Sequence, residues 1–149
     1  MAAQYGRMQM CLNLLEKGAN PSVLNAKKHT PIHLATEKDH PDIVKLFLSM
    51  QKDSKALLDY VSIKKGISES RWPNDLEGFT CAHIAAMKGS AAVMKELLKI
   101  DKKTVLESKD LEQKTVLHWA VMNGHKTLVK ILLNSGADPS TEDEVNIEL

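Results

Sequence analysis

Cysteine is scarce in this chain. Cys11 and Cys81 are the only two among 149 residues, and they form neither a CxxC pair nor a metal-ligand spacing. Redox-pair and zinc chemistry therefore have no basis here, and the thiols suit a reducing compartment. Charge of one sign is also missing. Lys and Arg total 20 against 19 Asp and Glu, so no strong field draws the chain onto nucleic acid or anionic lipid. Long apolar runs are absent as well: the segment Ile43–Met50 is already broken by Lys45, whereas a bilayer-crossing helix needs about 20 apolar residues. No basic stretch followed by an apolar run opens the chain, which speaks against a secretory signal. HExxH, GxSxG and Gly-rich phosphate loops do not occur, so no catalytic residue and no cofactor is assigned. What remains, 43% hydrophobic and 26% charged residues, is the composition of one soluble globular domain.

The residues that are present repeat. Thr30-Pro31-Ile32-His33-Leu34-Ala35, Thr80-Cys81-Ala82-His83-Ile84-Ala85 and Thr115-Val116-Leu117-His118-Trp119-Ala120 share a threonine, a histidine three positions on and an alanine two beyond that. Nine residues after each threonine stand Asp39, Gly89 and Gly124, followed by His40, Ser90 and His125. Apolar stripes then begin at Ile43, Val93 and Leu128, and an Asx lies five residues before each threonine: Asn25, Asp75 and Asp110. Ala2-Ala3-Gln4-Tyr5-Gly6 matches Ala85-Ala86-Met87-Lys88-Gly89. The ruler thus runs past both ends, and the chain reads as a fragment of a longer array in which Met1 is an internal residue.

This pattern resembles the ankyrin repeat, a unit of about 33 residues with a β-turn finger and two antiparallel helices. The expected architecture is an all-α solenoid of stacked helix-turn-helix units with β-turn fingers. About four repeats are expected in one domain spanning 1–149: a truncated one at 1–24, then 25–50, 75–109 and 110–142, with the start of another at 143–149. Residues 51–74 read as an insertion, with a short helix near 55–61 and a loop over 66–73. Thr30, Thr80 and Thr115 stand where helix N-caps are needed, and Pro31 fits the first turn. His33, His83 and His118 recur at one repeat position, which argues for structural histidines rather than metal or acid–base work; in the ankyrin fold this histidine bonds backbone between repeats. Asp39 replaces a helix-ending glycine and suits a left-handed turn less well. Cys81 and Trp119 read as core. Trp72 either packs beneath its loop or anchors a partner.

Ankyrin arrays bind partners on the concave side, at finger tips and the exposed face of the first helices. By register that surface contains Lys28, His29, Glu37, Lys38, Glu77, Phe79, Met87, Lys88, Lys114, Met122 and Asn123. Phe79, Met87 and Met122 are expected to form an adaptable apolar strip. Lys27-Lys28-His29, Lys64-Lys65 and Lys102-Lys103 are either basic contact points or solvated charges.

A sharper likeness lies in two stretches. Ala35-Thr36-Glu37-Lys38-Asp39-His40-Pro41-Asp42-Ile43-Val44 continuing to Leu48, and Phe79-Thr80-Cys81-Ala82-His83-Ile84-Ala85-Ala86-Met87-Lys88-Gly89-Ser90 continuing to Leu98, are similar to the ankyrin domain of the TRPN (NompC-type) mechanosensory cation channels. The resemblance covers roughly 30–140. It implies a cytoplasmic part of an animal membrane channel, an elastic tether toward the cytoskeleton with the pore outside this chain. The expected function is a non-catalytic protein–protein scaffold whose partner is unnamed; the channel tether is the alternative, and an enzyme with its catalytic domain elsewhere is a third. Membrane insertion and nucleic-acid binding are not expected of this segment, and neighbouring repeats outside it are.

Overall fold

The computed structural model describes residues 1–21, 23, 25, 29–50, 79–110 and 112–140. The expected insertion at 51–74, with Lys64-Lys65 and Trp72, the repeat start at 143–149, and Lys27, Lys28, Asp75 and Glu77 lie outside them. Seven helices occur among the described residues: α1 (Met8–Glu16), α2 (Pro31–Glu37), α3 (Pro41–Ser49), α4 (Cys81–Lys88), α5 (Ala91–Glu107), α6 (Val116–Met122) and α7 (Lys126–Asn134). No strand is present among those residues, and the fold is all-α. Helices α2–α3, α4–α5 and α6–α7 form antiparallel pairs, and Met1–Gly6 makes one turn ahead of α1. First helices α2, α4 and α6 stack on one another; second helices α1, α3, α5 and α7 stack in a parallel layer. α2 packs directly on α4 although Thr30 and Thr80 are 50 positions apart.

The core lies between these layers. Ile32, Ala82 and Leu117 occupy matching buried places in successive pairs, as do Ala35, Ala85 and Ala120. From the second helices come Ile43, Val44 and Phe47, then Val93, Met94 and Leu97, then Leu128, Val129 and Leu132. These side chains form one cluster running from Ala3 to Ala137. No single pair could bury its apolar face alone, so each leans on the next.

A seam of polar contacts sets the spacing. His40, Ser90 and His125 occupy the N-caps of α3, α5 and α7, yet none of their side chains caps its own helix. Each reaches back to the preceding unit instead. His40 Nε2 donates to the Gln4 carbonyl (3.1 Å), Ser90 Oγ to the Thr36 carbonyl (2.9 Å) and His125 Nε2 to the Met87 carbonyl (2.8 Å). The residue facing that side chain must then be small. Gly6 and Gly89 adopt φ of 67° and 74°, and a Cβ on either would stand 3.0 Å from His40 or 2.6 Å from His125. Asp39 holds the same left-handed place with φ of 55°, because it faces the shorter Ser90. Its carboxylate has acquired a use: Oδ1 accepts from the Val93 amide at 3.2 Å, capping the helix of the next pair.

The Asx residues close the fingers. Asn25 Oδ1 accepts from the His29 amide and Asp110 Oδ1 from the Lys114 amide, both at 2.9 Å, while the backbone of each pair closes at 3.0 Å. α5 differs from its fellows. It breaks at Asp101 (φ −148°, ψ 83°), whose carboxylate takes hydrogen bonds from the Thr104 amide and hydroxyl at 3.1 and 2.7 Å and starts a further segment to Glu107.

Gly89→Ala is expected to cost about 2 kcal/mol in urea unfolding, from left-handed strain plus the clash with His125. His125→Ser alone loses a hydrogen bond worth about 1 kcal/mol. The double variant, in which the added Cβ no longer meets an imidazole ring, should cost less than the sum of the two; strict additivity would contradict the paired fit. Thr36 Oγ1 is buried without a partner, at a place filled by Ala86 and Val121 in the other pairs. Thr36→Val should therefore stabilise by about 1 kcal/mol; a lowered melting temperature would show that the hydroxyl is satisfied.

Candidate functional site: the first-helix face

Each first helix begins with the same reciprocal cap. The N–H of Thr30, Thr80 and Thr115 donates to Nδ1 of His33, His83 and His118, at 3.1, 3.2 and 2.9 Å. The histidine thus plays the part that Glu plays in a capping box. Because Nδ1 accepts, the ring proton sits on Nε2, and in His83 that group meets the Lys114 carbonyl of the next unit at 3.3 Å. The rings are buried, and their Nδ1 lone pairs are committed to the caps.

The position just before each threonine reads as surface from its register, and the structure corrects this for two residues. His29 is 4% exposed and Phe79 0%. The extended N-cap turns that side chain back along its own helix: the His29 ring lies 6.1 Å from His33 and the Phe79 ring 5.2 Å from His83. Phe79 also meets Trp119 edge-on at 4.9 Å, so it ties two units together. Trp119 is half-buried rather than wholly core; its Nε1 donates to Asp110 Oδ2 at 2.8 Å, and the Lys114 ammonium stands 5.6 Å from its ring. Lys114 also pairs with Glu112.

The other described residues of the expected surface on α2, α4 and α6 and at their ends reach solvent along one ridge. Lys38, Lys88 and Asn123 are exposed, each one residue before a left-handed turn. Beside them stand half-buried Glu37 and Met87 and exposed Met122. Gln4 and Tyr5 continue the same two rows, Tyr5 at 61% exposure. They are absent from the surface expected by register, although their offset from Gly6 is the signal that places them there. Among the described residues no group of three His, Cys, Asp or Glu converges as a metal site. Cys81 is sealed in the core, and burial pushes its thiol up to about 12. No described helix is long and apolar enough to cross a membrane.

A family model described as ankyrin repeats (3 copies) matches residues 1–69 and 55–143. The chain belongs to the ankyrin-repeat family. Among curated proteins it is similar to palmitoyltransferase AKR1 of Lachancea kluyveri, 30% identical over 92% of this chain and 17% of that protein. It is similar to rabankyrin-5 of Mus musculus, 25% identical over 92% of this chain and 13% of that protein. It is also similar to the transient receptor potential channel pyrexia of Drosophila melanogaster, 30% identical over 92% of this chain and 12% of that protein. The chain spans less than a fifth of the length of these relatives.

Burial of His83 is expected to make the stability of the stack depend on acid. Desolvation holds His83 below the ordinary 6.5, against opposing pulls from the Asp110 carboxylate and the Lys114 carbonyl. The unfolded chain therefore binds a proton more readily than the folded one, and stability rises with pH across that window. The contribution is whole above pH 6.5 and is lost as pH falls through 6.5 toward the depressed folded value. His83→Gln, which keeps a capping side chain, should flatten the fall in unfolding free energy between neutral and mildly acid pH. An unchanged slope would clear His83 of the effect.

Proposed function

We propose that this chain is a non-catalytic protein-binding module that receives its partner along the exposed ends of its stacked first helices. One observation carries the reading. Glu37-Lys38, Met87-Lys88 and Met122-Asn123 repeat at one register on neighbouring helices, and in each pair the second residue is exposed. An alternation of methionine with single charges suits an adaptable protein contact. α2, α4 and α6 carry only Glu37 and Lys88 between them as Asp, Glu, Lys or Arg, which suits a protein better than a polyanion. The free thiols accord with a cytoplasmic setting.

A second reading, a segment of the cytoplasmic ankyrin array of a cation channel with a cytoskeletal partner, is favoured by the likeness to pyrexia across 92% of this chain. In that case the same stack bears load, and stretching a tandem array of this chain should give graded, reversible extension.

A photoreactive benzoylphenylalanine placed at Met87 or Met122, but not at exposed Lys17 on the end helix, is expected to form discrete protein adducts in cell extract. Equal adduct yield from all three positions would overturn the assignment of this face.

A further inference from the structure

Charge is unevenly shared between the two helix layers. The first helices carry one Glu and one Lys, whereas α3, α5 and α7 carry seven lysines against four carboxylates. Two adjacent lysines stand where α5 breaks. Thr80 and Thr115 are 35 positions apart rather than the unit length of about 33, and the Asp101 break ends the first course of α5 at Ile100. Asp101 caps the segment beyond the break, so Lys102 and Lys103 open a new turn rather than extending the old one. With Lys109 they line a cleft of about 470 Å³, closed on its other side by Ser135–Asp138 after α7.

Lys102, Lys103 and Lys109 are all exposed. The salt bridges among the described residues use Lys99 and Lys114 instead. Two carboxylates share the cleft, Glu107 and Asp138. Asp138 is turned to its own loop, accepting from the Ser140 amide and hydroxyl at 2.8 and 2.6 Å, which holds it below the usual carboxylate range. Nearby Asp101 is likewise committed to Thr104. Three ammonium groups thus line the cleft against two carboxylates, one of them held to its own loop, around a space that takes a few side chains. Leu106 and Ala137 give the cleft an apolar floor.

We propose that this cleft binds an acidic segment of a partner protein, a short extended peptide presenting carboxylate or phosphate groups to Lys102, Lys103 and Lys109. A recess with an apolar floor and Glu107 at its side fits a peptide, whose amides and hydroxyls donate to that carboxylate. A flat anionic bilayer would not reach the apolar floor of the recess. The cleft belongs to the second-helix layer and the loops after it, so its occupancy goes beyond the first-helix face and does not depend on it.

The test is fluorescence anisotropy with the whole chain and three labelled short peptides: one alternating Glu and Ser, one with phosphoserine in place of Glu, and one with Gln. At roughly 0.15 M salt the anionic peptides should bind and the Gln peptide should not; the ratio of the two anionic affinities tells carboxylate from phosphate recognition. K102E/K103E/K109E should weaken binding about tenfold or more, whereas K95E/K126E/K130E, an equal charge change elsewhere in the layer, should change it by less than about twofold. Circular dichroism guards against misfolding, and K102Q/K103Q/K109Q serves as a milder variant with the same expected loss. Equal loss in the two reversal variants, or binding of the Gln peptide, would overturn the proposal. So would binding of phosphatidylserine vesicles with no binding of either anionic peptide.

Discussion

Neighbouring units in this stack are held apart and together by one contact: a side chain at the start of each of α3, α5 and α7, bonded to a backbone carbonyl of the preceding unit. His40, Ser90 and His125 all make it, over 2.8–3.1 Å. Because the acceptor is main chain, the bond measures the distance between layers whatever side chains fill the gap. The apolar cluster from Ala3 to Ala137 supplies most of the driving force, but hydrophobic burial has no direction. The carbonyl bonds, with the threonine–histidine caps, convert a greasy pile of helices into a stack with a set pitch.

That contact also explains the departures from regularity. A histidine in the seam demands glycine opposite it, as at Gly6 and Gly89; a serine does not, and Asp39 occupies the freed space. An aspartate in place of a turn glycine looks like a defect in isolation. Paired with Ser90 and bonded to the Val93 amide, it carries a cross-unit helix cap that no glycine could provide. The break at Asp101 has the same character, since a cap formed by its own side chain redirects two lysines toward a cleft.

The seam leaves the two helix layers free to diverge. First helices are short, capped by histidine and nearly uncharged, and their outer ends form a ridge of methionine and single charges. Second helices carry the lysines. The ankyrin relatives that cover nine-tenths of this chain include a transferase, a channel and rabankyrin-5, which accords with a framework whose surface is set separately from its core.

The helix pairs, their order, their apolar faces and the left-handed turns were legible in the sequence, because the same residue types return at the same offsets and each has a local reason: threonine for an exposed amide, glycine for a positive φ, spaced apolar residues for a buried face. The burial of His29 and Phe79 was not legible. Their register said only that they precede a cap; that the extended cap folds their rings back onto His33 and His83, and that Trp119 of the next unit receives Phe79, depends on a neighbour distant in the chain. The roles of His40, Ser90 and His125 were hidden likewise, since at an N-cap each looks like a local residue while its partner lies 36, 54 or 38 positions away. Sequence alone determined what each unit is, because capping and periodicity act within a few residues. Tertiary structure alone decided which side chains remain for a partner, because exposure is fixed by what the adjacent unit covers.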